Sequence, residues 1–144
     1  MIGVLAGDVI GSVHEHALTK STAFRLFDPL CRFTDDTVLT VATAHAILTR
    51  TSYEAAQWDV SCQRSVPEAI VAFLDSSNVA DTIRLAVSLG GDADTQAAIV
   101  GGIAEAFYRH LPETIVDAVR ERLPPRFIEV VDAFRQAFPL DTKC

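Results

Sequence analysis

Apolar residues recur at helical spacing along most of the chain, and no segment alternates apolar and polar residues over the length of a strand. An opening helical segment is predicted over residues 2–16, and residues 17–33, which have no sustained period, are predicted to form a loop. The later predicted helices cover residues 36–49, 65–74, 79–89, 97–108, 112–123 and 127–138, with a short helical turn at 53–58. We therefore predict an all-α fold, a compact orthogonal bundle of about six or seven helices in one domain over residues 1–144.

Local capping signals set some of these boundaries. Ser65 followed by Glu68 fits a capping box, so a helix is predicted to begin there and residues 59–64 to form a loop. Asn78 is the predicted N-cap of the next helix, because its side chain can accept from a backbone N–H of the first turn. Gly90 marks the end of that helix, since glycine readily adopts the backbone conformation of a C-terminal stop.

Glycines at every fourth position distinguish the opening segment. Gly3, Gly7 and Gly11 fall near one face of a helix, at a cost of about 1 kcal/mol each relative to alanine. We therefore predict that a neighbouring backbone packs closely against this face. The helix over residues 36–49 is apolar on nearly all sides, which predicts a central position in the fold.

Composition narrows the functional classes. The chain has 144 residues, 49% of them hydrophobic, which is ample for one core. Its 12 basic and 19 acidic residues give a formal charge of −7 with no basic run, which argues against nucleic-acid binding. Cys31, Cys62 and Cys144 are odd in number and lack metal-ligand spacing, so we expect free thiols in a reducing compartment. With no basic leader and no apolar run of spanning length, we expect a cytoplasmic protein without membrane contact.

Two short acidic segments carry the candidate chemistry, and each lies at the start of an apolar helical run. The first contains Thr34, Asp35 and Asp36, and the second contains Asp92, Asp94 and Thr95 after a double glycine. Carboxylates and hydroxyls at such positions are most often helix caps, and either segment alone favours that interpretation. A cap needs only one such side chain, however, and each segment offers three.

A meeting of the two segments in space would place four carboxylates in one small volume. Like charges that close raise each other's pKa strongly unless a cation lies among them. Hard oxygen ligands favour magnesium or manganese over zinc. The sequence therefore predicts one or two divalent cations bound between the segments. A glutamate nearby, such as Glu15, could act there as an acid or base or as a movable ligand.

Three motifs in this order resemble those of the ADP-ribosylglycohydrolase family, the group that includes dinitrogenase-reductase-activating glycohydrolase. The motifs cover residues 7–15, 33–37 and 86–98. The resemblance implies an all-α, metal-dependent hydrolase that cleaves the glycosidic bond between ADP-ribose and its acceptor, a protein side chain or a small molecule. It also implies two Mg²⁺ ions, with Mn²⁺ possible in their place.

The resemblance also assigns roles to individual residues. The first ligand group of the family corresponds to Thr34, Asp35 and Asp36, and the second corresponds to Asp92, Asp94 and Thr95. Glu15 falls where the family has a catalytic glutamate on a mobile loop. No separate organic cofactor is implied.

The chain is shorter than family members, and the missing middle region would lie near residues 57–64. Three explanations are open: a minimal enzyme, a dimer in which the partner rebuilds the missing wall, or a non-catalytic ADP-ribose- or metal-binding module. Loss of a middle region should expose apolar surface on the central helices to solvent. Such surfaces mark interfaces, so we expect the protein to self-associate as a dimer. A phosphatase with an Asp-x-Asp nucleophile fits poorly, because that motif usually follows a buried strand, whereas residues 83–89 are predicted to be helical.

Overall fold

Seven helices and no strand make up the regular structure of the described residues. The structure, a computed structural model, describes residues 1–17, 19–50 and 62–139, and for residues 62–65 only the backbone is described. The helices are α1 (Ile2–Gly11), α2 (Asp35–Thr49), α3 (Cys62–Leu74), α4 (Val79–Leu89), α5 (Ala93–Tyr108), α6 (Glu113–Arg120) and α7 (Pro125–Ala137). The predicted all-α fold is confirmed. The predicted turn at 53–58 lies outside the described residues.

The two helices α1 and α5 pack against each other backbone to backbone, and the other helices surround them. A methyl group added to Gly7 would overlap the carbonyl of Ala97, and one added to Gly3 would overlap the carbonyl of Gly101. Gly101 meets Gly3 in the same way from the other side. The predicted close approach at the glycine face is therefore confirmed, and its partner is α5. Each of the seven helices contributes at least one side chain to a common buried apolar cluster.

Helix α4 begins and ends where the sequence predicts. The Asn78 side chain accepts a hydrogen bond from the Asp81 backbone N–H at 3.0 Å. The Asp81 carboxylate in turn accepts from the Ser77 N–H at 2.9 Å, so both residues satisfy free N–H groups at the helix start. Gly90 ends the helix with a φ of 73°, a conformation that glycine adopts without a steric penalty.

Several other helix boundaries differ from the predictions, among them the end of α6, which lies at Arg120 rather than at residue 123. Helix α3 begins at Cys62 rather than at Ser65, so Pro67 lies inside the helix. Glu68 accepts a hydrogen bond from the Gln96 amide at 2.8 Å, so its side chain serves the contact between α3 and α5 rather than a cap. Helix α1 ends at Gly11, short of residue 16, and residues 12–17 form turns.

A further difference, at the start of α5, bears on the acidic segments. Helix α5 begins at Ala93, four residues before the predicted start, so Asp94 and Thr95 lie in its first turn. Acidic residues in a first turn interact favourably with the positive end of the helix dipole, which explains the early start. Because Asp94 and Thr95 belong to the helix, the rigid backbone of α5 fixes the direction of their side chains.

Helix α2 is not central, which corrects the prediction made from its apolar composition. Only Thr37, Val41 and Ala44 are buried, whereas Val38 and Ile47 are 43% and 49% exposed. The helix contacts α1 and α7 along one side and leaves its other side uncovered by described residues. Composition alone does not reveal this, because an apolar helix can be covered by another segment or by another chain. Within the described ranges, no helix is long and apolar enough to span a membrane.

Candidate metal centre

The N-termini of α2 and α5 meet beside α1, and neither begins with an ordinary cap. Thr34 occupies the N-cap position of α2 and Asp92 that of α5, yet neither side chain makes a cap hydrogen bond within the described structure. Asn78, by contrast, caps α4 through its side chain. The oxygen-bearing side chains at the two acidic helix starts are therefore directed at other groups.

These side chains contact each other across the two segments. The Thr95 hydroxyl donates to an Asp36 carboxylate oxygen at 2.9 Å. The Thr34 hydroxyl oxygen lies 3.5 Å from an Asp94 carboxylate oxygen. Residues about sixty positions apart in the sequence thus share one site, as the metal hypothesis requires.

Carboxylate oxygens gather in two overlapping groups. Asp8, Asp36 and Asp94 each place an oxygen within 4.8 Å of the others, and Glu15, Asp92 and Asp94 do the same. Asp94 belongs to both groups. The arrangement therefore offers two neighbouring cation positions joined by one carboxylate.

Asp8 is the member of these groups that the sequence analysis did not select. It lies in α1 with no exposed surface. Its carboxylate accepts hydrogen bonds from the Thr34 backbone N–H at 2.9 Å and from the hydroxyls of Thr34 and Thr37. A single charged residue in the otherwise apolar stretch of residues 2–11 was the available signal, because a buried carboxylate must find donors.

The close approach of α1 to α5 sets the position of Asp94. A methyl group at Gly11 would lie 2.7 Å from both the Ala93 carbonyl oxygen and the Asp94 nitrogen. The first turn of α5 therefore rests directly on the end of α1. Glu15 follows on the next turn, held by a hydrogen bond from its N–H to the Gly11 carbonyl at 3.2 Å, and its side chain is about 40% exposed.

Crowding of the carboxylates changes their acidity. Burial raises the pKa of Asp94 to about 7, assisted by the hydrogen bond with the Asp92 carboxyl and the negative charge of Glu15. Burial also raises the pKa of Asp36, although the hydrogen bond from Thr95 opposes this shift. Ionisation of these carboxylates without a bound cation therefore costs free energy.

The donor set fits a hard divalent cation. All the candidate ligands are carboxylate or hydroxyl oxygens, the ligands that Mg²⁺ and Mn²⁺ prefer. Among the described residues, no lysine or arginine pairs with the carboxylates of Asp8, Asp36 or Asp94. A bound cation would supply the missing positive charge, so the electrostatics and the ligand chemistry agree.

The structure brings together most of the residues selected from the sequence. Thr34, Asp36, Asp92, Asp94 and Thr95 line the junction, and Glu15 joins through Asp92 and Asp94. Asp35 is exposed and belongs to neither carboxylate group. Its role as a ligand, like the other ligand and catalytic roles, stays a prediction.

Comparison with known proteins supports the same assignment. A family model described as ADP-ribosylglycohydrolase matches residues 58–143, more than half of the chain. The chain belongs to the ADP-ribosylglycohydrolase family. No curated protein and no solved structure matches it. The matched residues include the Asp92–Thr95 segment. The acidic start of α2 and Glu15 lie before the matched range, so their assignment to the site rests on the geometry alone.

In this ADP-ribosylglycohydrolase-family protein, the metal-free form should lose stability as pH rises. An unfolded Asp releases its proton near pH 3.8, whereas folded Asp94 keeps it up to about pH 7. The folded state therefore binds more protons in this window, and the free energy of unfolding falls between about pH 4 and 7. The loss is up to about 4 kcal/mol, an upper limit that solvent screening reduces.

Urea unfolding in EDTA at pH 5 and pH 8 measures this effect. We expect the lower free energy of unfolding at pH 8, and we expect added Mg²⁺ to raise it there more than at pH 5. A metal-free protein equally stable at both pH values would show that the acidic groups do not share the crowded site.

Proposed function

We propose that this protein is a magnesium-dependent hydrolase that cleaves the glycosidic bond between ADP-ribose and an acceptor. The observation that carries the proposal is the pair of carboxylate groups that share Asp94 at the junction of α2 and α5. Membership of the ADP-ribosylglycohydrolase family supports the reaction class. The acceptor is an ADP-ribosylated protein side chain or a small ADP-ribose conjugate.

The positions of the oxygen atoms assign the candidate ligands to two cation sites. Asp36 and Asp94, with the hydroxyls of Thr34 and Thr95, would hold one cation, and Asp92 with Asp94 would hold a second. Asp35, exposed at the start of α2, would reach a cation only from the open side. Mg²⁺ is the expected ion, and Mn²⁺ can replace it because its preferred ligands are similar. When bound, the cations supply Lewis acidity to an attacking water and to the ribose hydroxyls.

Glu15 is the proposed catalytic residue. Its carboxylate lies within 4.8 Å of oxygens of both Asp92 and Asp94 and is partly open to solvent. It can therefore contact an incoming substrate while its carboxylate accepts a proton from the attacking water. Its place on a turn beyond the end of α1 also lets it move without disturbing the α1–α5 contact.

The overall charge of the protein explains why cations are needed for this substrate. The chain carries a formal charge of −7, and ADP-ribose brings a negatively charged diphosphate. Without cations, the carboxylate groups would repel the substrate over roughly the Debye length of about 8 Å at physiological salt. Two bound divalent ions would offset most of this negative charge and so weaken the repulsion.

Hydrolysis assays test the proposal directly. The protein is incubated with Mg²⁺ and with proteins ADP-ribosylated on arginine or serine, and with small ADP-ribose conjugates, and released ADP-ribose is measured by chromatography. We expect release that EDTA abolishes. The enzyme proposal fails if none of these substrates releases ADP-ribose and Asp94→Asn behaves as wild type.

The alternative is a non-catalytic ADP-ribose-binding module that keeps the family fold. The absence of an identifiable middle region in the sequence favours it, because that region would complete the ADP-ribose site. Calorimetric titration with ADP-ribose in Mg²⁺ separates the two. Binding without turnover of any conjugate supports the module.

Self-association is the proposed assembly state. The α3–α5 face, formed by Ile70, Val71, Leu74, Ile103 and Phe107, exposes large apolar side chains. Phe107 is 67% exposed and contacts the Phe73 ring edge-on, which makes the face continuous from α5 to α3. Exposed apolar patches of this kind mark interaction surfaces.

Light scattering at micromolar concentration should give a dimer mass, and Phe107→Glu should lower it to that of a monomer. Leu30→Glu, a change at another exposed apolar side chain, should not affect the mass. A monomer mass for folded wild type would contradict the proposal.

We also propose a cytoplasmic location. Cys31 is a buried free thiol, as expected in a reducing compartment. Cell fractionation of the tagged protein tests this.

A further inference from the structure

The fully buried carboxylate of Asp8 lies under the candidate metal centre but is already engaged by protein donors. One oxygen accepts from the Thr34 hydroxyl, and the other accepts from the Thr34 backbone N–H at 2.9 Å and from the Thr37 hydroxyl. A carboxylate has about four lone-pair positions, and three of them are used. Asp8 therefore has little capacity left for a direct bond to a cation.

The hydrogen bonds of Asp8 determine where the Thr34 proton points. A threonine hydroxyl has one proton and two lone pairs. The contact of this hydroxyl with Asp8 is the closer one, and the Asp94 carboxylate oxygen lies farther away at 3.5 Å. With the proton directed at Asp8, the hydroxyl presents a lone pair toward the Asp94 carboxylate. Two acceptors that face each other repel unless a cation lies between them.

We infer that Asp8 is a positioning residue that holds the Thr34 hydroxyl with its lone pairs toward the cation bound by Asp36 and Asp94. The inference rests on the metal site of the proposed function. It requires no bond from Asp8 to the metal. Partners that orient a ligand in this way typically change metal affinity by about 10- to 100-fold when they are removed.

Asp8→Asn removes this control while keeping nearly the same shape. The amide has one acceptor oxygen in place of two, and its NH₂ group can only donate, so three donors compete for one acceptor. The Thr34 hydroxyl then turns its proton toward the metal side. We expect Asp8→Asn to weaken Mn²⁺ binding by about 10- to 100-fold.

A double-mutant cycle tests the path of the effect. Mn²⁺ affinity is measured by electron paramagnetic resonance for wild type, Asp8→Asn, Thr34→Val and the double variant, without substrate. If Asp8 acts through Thr34, the double variant binds Mn²⁺ no more than about threefold more weakly than the weaker single variant. Losses that multiply would show that Asp8 acts as a direct ligand or through its charge and would overturn the inference. An unchanged affinity in Asp8→Asn would also overturn it.

Controls separate positioning from general damage to the fold. Thr82→Val removes another fully buried hydroxyl, one bonded to Ser76 and to the Asn78 carbonyl, and should leave Mn²⁺ affinity unchanged. Thermal melts confirm that each variant is folded at the temperature of the titration. Should Asp8→Asn not fold, Thr34→Ser and Thr34→Val still test the step that the inference requires, which is binding of the cation by the Thr34 hydroxyl. Serine should retain affinity within about threefold, because it keeps the hydroxyl, and valine should lose about tenfold. Equal affinities for these two variants would overturn the inference.

The outcome is independent of catalysis. If the effects of Asp8→Asn and Thr34→Val on Mn²⁺ affinity are coupled but the protein releases no ADP-ribose, the role of Asp8 stands and the hydrolase proposal fails. A wild-type protein that binds no Mn²⁺ would overturn the role of Asp8.

Discussion

Asp94→Asn should abolish hydrolysis of ADP-ribose conjugates and weaken Mn²⁺ binding by at least about 100-fold. Asp94 is the one side chain that contributes an oxygen to both carboxylate groups, so neutralising it removes a charged ligand from each. The loss should exceed that of Asp36→Asn, because Asp36 belongs to one group only. Metal affinity depends on the number of charged ligands at a site, which supports a large effect.

The same substitution should stabilise the metal-free protein at pH 8. The pKa of Asp94 is raised to about 7, which means that its ionised form is costly in the folded state. Asparagine carries no charge, and its carbonyl can still accept from the Thr95 N–H that now bonds Asp94 at 3.0 Å. A more stable but inactive variant is the pattern expected of a residue selected for its chemistry.

Urea unfolding in EDTA, Mn²⁺ titration and ADP-ribose release together check this prediction. Asp132→Asn provides the control, because Asp132 forms an exposed ion pair with Arg120 and takes no part in either carboxylate group. It should leave metal binding and turnover unchanged. An Asp94→Asn variant with wild-type metal affinity would remove the basis for the metal centre.

The acidic segments were visible in the sequence because each offers more oxygen donors than a helix cap can use. Thr34 and Asp92 both occupy N-cap positions without capping, which is the structural counterpart of that surplus. Their meeting depends on the α1–α5 contact, for which the spacing of Gly3 and Gly7 was a direct signal. Local composition therefore predicts the ligands, and the glycine spacing predicts the contact that brings them together.

Other features depend on tertiary contacts that local patterns do not encode. Asp8 was overlooked because one carboxylate in an apolar helix gives no periodic signal, and its donors come from a segment about 26 residues away. Helix α3 begins at Cys62, before Ser65, so the local capping signal does not set its start. The uncovered side of α2 could not be foreseen from its apolar composition, which is the same for a covered and an uncovered helix.

Gly7→Ala should be the most destabilising single-methyl change among the glycines of α1 and α5. The added methyl group would overlap the backbone of Ala97 and Ala98, and backbone atoms cannot move aside as a side chain can. Overpacking of this kind costs about 3 kcal/mol or more, which for a chain of this size lowers the melting temperature by roughly 10 °C. Separation of α1 from α5 would also draw Asp8 away from Asp94, so Mn²⁺ affinity should fall in the folded fraction.

Gly102→Ala provides the matched control in the facing helix. Its methyl group would meet only a terminal methyl of Val4, at 2.8 Å, which a change in side-chain position can relieve. Alanine is also favoured over glycine within a helix by about 1 kcal/mol, so the net effect should lie near zero. Urea unfolding of the two variants measures the difference. Equal losses in the free energy of unfolding would mean that α1 and α5 do not pack backbone to backbone at Gly7. The helix contact that brings the acidic segments together would then be absent.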